Sequence, residues 1–176
     1  MLYTYTLDQA HKWDEIVRSF HDYDVYWLSG YVKAFKLHGD GEPLLFYYED
    51  GSTRGINVAM KRDVADDIHF RGKIPKRKYI DFSTPYGYGG WLIEGEETEK
   101  LFEVYSKKME DDNIISEFVR FHPMLANHIF AKELYDITEL GCVVHMDLKS
   151  PEYIHHQSSQ STSGPRRKLF REEPAA

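Results

Sequence analysis

Cysteine is almost missing: Cys142 stands alone among 176 residues, which excludes an internal disulfide and a thiolate zinc site. It lies in an apolar stretch, where a buried inert thiol is the expected reading. Long hydrophobic runs are missing too, and nothing approaches the roughly 18 apolar residues that span a bilayer. Positive charge is in deficit, with a net charge of −7, so general DNA or RNA binding through phosphates is not expected. The sequence has no GxxxxGK[ST], no GxGxxG between strand and helix, no HExxH and no GxSxG. Those gaps remove a P-loop, a dinucleotide fold, a zinc-protease helix and a hydrolase elbow, and no metal is expected. The first residues, Met1-Leu2-Tyr3-Thr4-Tyr5-Thr6, carry neither a basic start nor an apolar signal core. With one cysteine, this points to the reducing cytoplasm.

What is present is aromatic and globular: 41% hydrophobic residues and 13 tyrosines, enough chain for one domain with a real core. Trp13, Ile16, Val17 and Phe20 recur at helical spacing after Asp8, a candidate cap. Leu28, Tyr31, Val32 and Phe35 do the same after Asp24, closing at Gly39 or Gly41. Residues 44–48 and 55–60 read as a hairpin around Asp50-Gly51. Residues 79–82 and 114–121 read as strands, 96–109 as a helix with Leu101, Phe102, Tyr105 and Met109 inward, and 124–134 as a short helix or turn. Residues 143–148 read as a last strand and Ser150-Pro151-Glu152 as a helix start. The fold expected is α+β, with a mixed, largely antiparallel sheet flanked by helices. Serine-rich residues 155–176 hold too little apolar surface to repay ordering and are expected to be a disordered polar tail. His155 and His156 there read as solvated sequence.

The densest signal is Asp81-Phe82-Ser83-Thr84-Pro85-Tyr86-Gly87-Tyr88-Gly89-Gly90-Trp91. Pro85 ends the strand, and three glycines in four positions let the backbone turn or let something approach it closely. Two readings stand: a tyrosine-rich turn packed on its own sheet, or a loop presenting Tyr86 and Tyr88 to a ligand. On the strand ending in His122, Ser116, Phe118, Arg120 and His122 share one face, and Ile115, Glu117, Val119 and Phe121 the other. Each face mixes charge with bulk, so one charge must be buried with a partner, and Asp81 is a candidate carboxylate for Arg120. Alternatively, Arg120 and His122 stand beside the glycine loop, holding an anion or moving a proton. Lys73, Lys76, Arg77 and Lys78 cluster around Pro75, as a solvated loop or an anion site.

Asp24-x-Tyr26, Tyr31, Gly41-Glu42-Pro43, Leu45-Phe46-Tyr47-Tyr48-Glu49, the Pro85-Tyr86-Gly87-Tyr88-Gly89-Gly90 loop and Ser116-Glu117-Phe118-Val119-Arg120-Phe121-His122-Pro123-Met124-Leu125 together resemble the GNAT-related N-acyltransferases. Within these the chain resembles the Fem-type, methicillin-resistance aminoacyltransferases and their bacterial relatives, over about residues 10–154. The resemblance implies a GNAT-like domain at 1–154, matching the first half of a tandem architecture about twice this length. It implies transfer of an acetyl or aminoacyl group to an amine, with acetyl-CoA, another acyl-CoA or aminoacyl-tRNA as donor. An amine-bearing small molecule or peptidoglycan precursor would be the acceptor. On this reading His122 is the candidate base, Tyr88 assists it, and Tyr86, Gly87, Gly89, Gly90, Arg120 and Asp81 bind substrate. Two departures are plain. The Gln/Arg-x-x-Gly-x-Gly/Ala pyrophosphate loop of GNAT enzymes is missing, and the tail leaves the family pattern abruptly, as in a truncated or frame-shifted copy. Weak or no turnover by the chain alone is therefore expected, and the alternative is a non-catalytic scaffold or binding half-domain that forms a homodimer.

Overall fold

A computed structural model of the chain describes residues 1–141, 143 and 144. The chain divides into two units, Met1–Ile137 and Thr138–Ala176. In the second, the described residues 138–141, 143 and 144 carry no helix or strand. The strand expected to continue through residue 148, the helix start at Pro151 and the polar tail at 155–176 lie outside the described residues.

The first unit is an α+β fold. Strands β1 (Leu2–Tyr5), β2 (Glu42–Glu49), β3 (Arg54–Asp63), β4 (Ile80–Ser83), β5 (Leu92–Glu94) and β6 (Ile114–Phe118) combine with helices α1 (Ala10–Arg18) and α2 (Ser29–His38), both between β1 and β2, and α3 (Glu99–Asp111), between β5 and β6. The sheet runs β1-β2-β3-β4-β6, with β5 also on β3. All pairs are antiparallel except β4 with β6.

Alternation along the strands builds two cores. Leu45, Ile56, Val58 and Met60 face one way and pack with Trp13, Ile16 and Val17 of α1 and Val32 of α2. Phe46, Ala59, Ile80 and Phe82 face the other way, against Leu101, Phe102 and Tyr105 of α3. The helical stripes expected from spacing are therefore the buried faces. The caps differ from expectation. Asp8 lies inside a short 3-10 turn, Leu7–Gln9, that precedes α1. The first turn of α2 is held by Asp14 of α1, whose Oδ1 accepts from the Ser29 N–H at 2.8 Å; Asp24 instead caps the turn Val25–Trp27. Gly39 ends α2 at φ +103°.

The strand β1 pairs with β2 from Leu2↔Tyr48 to Tyr5↔Leu45. At four residues, Leu2-Tyr3-Thr4-Tyr5 is too short a run to be read as a strand from spacing; the register with β2 supplies it. Between β4 and β5 the chain leaves the edge of β3 and returns to it, since β4 pairs with Met60–Asp63 and β5 with Arg54–Ile56. The glycine loop is that excursion. Beside it runs the continuation of β6, joined at a parallel bridge, Gly89↔Phe121. Among the described residues, no helix is long and apolar enough to cross a membrane.

Candidate functional site

The glycine loop is fastened from outside. The Tyr31 hydroxyl donates to Tyr86 O at 2.7 Å, and Trp27 Nε1 donates to Gly90 O at 3.1 Å. Asn127 Nδ2 donates to Gly89 O and Trp91 O at 2.9 and 3.2 Å. Trp27 is fixed in turn, its own carbonyl taking Trp13 Nε1 at 2.7 Å. The carbonyls of Tyr86, Gly89, Gly90 and Trp91 thus each have a partner within the protein, which pre-sets the loop.

The room left by the glycines is taken by the protein itself. A Cβ on Gly87, at φ +108°, would stand 2.3 Å from Tyr26 Cε1. One on Gly90, at φ +89°, would meet Phe121 and Val119 at 2.9 Å. Gly89 faces Thr84, and its N–H donates to Arg120 O at 2.9 Å. As substrate-binding candidates these three are thus packed against neighbours: they let Tyr26, Thr84 and Phe121 come close to the main chain.

Around the loop stands a cluster of rings. Tyr26 meets Tyr88 edge-on at 5.4 Å and Tyr31 at 5.2 Å. Tyr88 lies 5.1 Å from the His122 ring, and the Arg120 guanidinium carbon sits 5.0 Å over the Tyr88 ring centroid, a cation–π contact. Phe35 lies 6.3 Å from Tyr86, whose ring is 76% exposed. The Tyr88 hydroxyl has no hydrogen-bond partner among the described residues.

The site differs from the sequence reading at His122. The imidazole is buried. Its Nδ1 accepts the N–H groups of Met124 and Leu125, both at 3.2 Å, so Nε2 carries the proton and donates it to Asp24 Oδ2 at 3.1 Å. Neither nitrogen is left to take a proton from a substrate, because the chain folds back over the ring after Pro123. The group that reaches outward is Asp24, with its side chain 43% exposed. Its Oδ1 also accepts from the Val25 N–H at 2.5 Å. The structure assigns His122 to orienting Asp24. Burial, then the negative charge of Asp24, pushes the Tyr26 hydroxyl above its ordinary range, and the Arg120 charge opposes this. Tyr31 is pushed the same way by burial, then by Tyr26, Tyr86 and Asp24. An anion and a cation thus act on one tyrosine cluster.

The expected pairing of Asp81 with Arg120 does not form. Asp81 is the cross-strand partner of Arg62, whose Nε and Nη2 reach its two oxygens at 2.9 and 2.6 Å. A direct neighbour on the same face wins over a residue farther along β6, and Arg120 stays exposed. The buried charge on β6 is Glu117. Tyr135 and Tyr105 hydroxyls donate to its Oε2 at 2.8 and 3.0 Å, and Asn57 Nδ2 donates to Oε1 at 3.0 Å. Burial raises the Glu117 carboxyl above its ordinary range against the opposing effect of those three donors. Tyr105 and Tyr135 are pushed well up by burial and by the Glu117 charge.

The sequence reading uses Asp24 and Tyr31 as parts of a helix signal and, with Tyr26, as residues that carry a resemblance, not as site residues. The tie of Asp24 to His122 spans 98 positions, and no local spacing announces it. Asn127 has no signal beyond lying in a turn after His122-Pro123. Among the described residues, no group of three or more His, Cys, Asp or Glu side chains is placed to hold a metal. Comparison of the chain with family models, with curated proteins and with solved structures finds no match.

Proposed function

We propose that the chain is a GNAT-like, Fem-type N-acyltransferase-related protein and that the tyrosine cluster receives the amine acceptor. The observation carrying this reading is that Asp24 and Arg120 flank the same rings, with Arg120 5.0 Å over Tyr88 and Tyr88 5.4 Å from Tyr26. The Asp24 carboxylate suits a protonated amine, and the Arg120 guanidinium suits a carboxylate or phosphate of the same molecule. The mixed, largely antiparallel sheet with flanking helices agrees with the resemblance.

The chemistry then runs as follows. The ammonium of the acceptor loses one proton to solvent, and the free amine attacks the acyl carbonyl carbon of a thioester or ester. Asp24, held in place by His122 Nε2–H, takes the second nitrogen proton as the amide forms; the carbon–sulfur or carbon–oxygen bond breaks, and that proton passes from Asp24 to the leaving atom. Arg120 and Tyr88 orient the acceptor. The Gly89 N–H is already taken by Arg120 O, so it is not a donor for the phosphates of acyl-CoA. The donor is held on this chain outside the glycine loop.

Thermal unfolding tests donor binding. Acetyl-CoA or aminoacyl-tRNA at about 100 times its Kd stabilises the chain by about 2.7 kcal/mol. No shift with either donor, alongside an unchanged fold, counts against the enzymatic reading. One observation favours a scaffold that dimerises: β6 closes the strand order with Ile115 and Phe118 exposed. Light scattering of a dimer that Phe118→Glu converts to a monomer supports that alternative.

A further inference from the structure

At the end of β4 remote from the tyrosine site, residues 64–79 form a turn-rich loop between β3 and β4. Within it, residues 68–78 hold five cations (Arg71, Lys73, Lys76, Arg77, Lys78) and no acid, on a chain of net charge −7. Two large apolar side chains stand in the same stretch, with Ile68 79% and Phe70 44% exposed. The loop is built rather than loose: Phe70 and Arg71 N–H groups return to Asp67 O at 3.1 and 2.9 Å, and Lys73 N–H returns to Phe70 O at 2.9 Å. Lys76 leans on Asp66, and Lys78 lies 5.0 Å over the Tyr79 ring. Lys73 and Arg77 have no side-chain partner among the described residues. Leu37, in the last turn of α2 and 80% exposed, stands at the same end of the sheet, because α2 leads through Gly39 and Gly41 to the start of β2, which pairs with the end of β3.

Exposed aliphatic and aromatic tips on one loop that carries five cations against two acids, Asp66 and Asp67, match a bilayer interface. The apolar tips enter the headgroup boundary and the cations meet anionic lipid, each contributing about 1 kcal/mol. A long polyanion such as RNA fits less well. Ile68 offers nothing to a base or a phosphate, and an extended polymer would lie against the acidic remainder of the chain within about 10 Å, the screening length at 0.1 M salt. We propose that residues 68–78 dock this protein on anionic lipid, with Ile68 and Phe70 inserted and Lys73 and Arg77 on the headgroups. The tyrosine site lies at the other end of β4, about 13 Å of strand away, and stays open.

Co-sedimentation of the full chain with vesicles of phosphatidylcholine containing about 30 mol % phosphatidylglycerol tests this against pure phosphatidylcholine vesicles. Binding is expected only to the anionic vesicles and weakens as salt rises. Lys73→Gln with Arg77→Gln lowers the partition coefficient about 30-fold, and Ile68→Asp with Phe70→Asp abolishes binding, while thermal unfolding stays that of the parent. Because the changes are confined to the loop, binding through any other cations would survive them, and that result overturns the proposal. Equal binding to neutral vesicles, no vesicle binding, or tight binding of an RNA oligonucleotide without vesicle binding overturns it as well.

Discussion

His122 Nε2 donates its proton to Asp24 Oδ2 across 3.1 Å, tying the turn before α2 to the end of the β6 segment. The bond orients a half-exposed carboxylate from a buried ring whose other nitrogen is filled by two backbone N–H groups. A carboxylate so held accepts from a ligand without reorganising, which is what the proposed acyl transfer requires of it. Asp24→Asn keeps an acceptor for the Val25 N–H but turns its NH2 toward the buried His122 Nε2–H, and is expected to cost about 1–3 kcal/mol in stability. It lowers kcat for acyl transfer by 10²-fold or more and, because Asp24 also pairs the acceptor's ammonium, raises the acceptor KM. Steady-state kinetics alongside urea unfolding check both halves.

Arg120 contributes a different quantity. Its guanidinium is exposed and stacked on Tyr88, so Arg120→Ala leaves the fold intact. It raises KM about tenfold or more for acceptors bearing a carboxylate or phosphate. Acceptors without an anion are unaffected. Comparing the two acceptor classes in one assay checks this.

Gly87 answers to packing. Alanine there needs φ +108° and puts a Cβ 2.3 Å from the Tyr26 ring. Gly87→Ala is therefore expected to cost about 2–4 kcal/mol, lowering Tm by about 5–15 °C in a chain of this size. Tyr26→Ala in the same background removes the obstructing ring and recovers part of the loss, which calorimetry of the double variant measures.

Glu117 gives a pH dependence with a fixed sign. Its carboxyl is raised above the ordinary 4.5 by burial, so the native state keeps its proton to higher pH than the unfolded chain does. The contribution is fully present below the unfolded value and is lost as pH rises through the folded one. Glu117→Gln has no such group. The stability of the parent relative to Glu117→Gln falls from pH 4 to pH 8, as urea unfolding at both ends will show. Asp50 acts in the opposite direction. Its carboxyl, lowered to about 2 chiefly by the Thr53 N–H and the Tyr48 hydroxyl, supports the β2–β3 turn above its unfolded pKa. That support is lost as pH falls through about 2.

What the sequence made legible was local and periodic. The Trp13–Phe20 and Leu101–Tyr105 stripes are buried faces, the Asp50-Gly51 turn joins β2 to β3, and the β6 segment runs beside the glycine loop. What it hid depended on partners far along the chain. Asp81 meets Arg62 because β3 and β4 pair in one register among several that alternation allows. Glu117 is satisfied by side chains from β3, α3 and the turn near Tyr135. Glycines that read as openings for a ligand are openings for Tyr26 and Phe121. Spacing locates elements; it does not say which residues an element will face.

The most direct test of the acceptor-site reading is product formation. Purified chain is incubated with acetyl-CoA or an aminoacyl-tRNA and a set of amines with and without a carboxylate or phosphate, and acylated amine is followed by mass spectrometry in the parent and in Asp24→Asn. The account predicts acylated product, weak but above the no-protein control, that falls 10²-fold or more in Asp24→Asn. An equal yield from parent and Asp24→Asn, or none from either with every donor and acceptor, contradicts it.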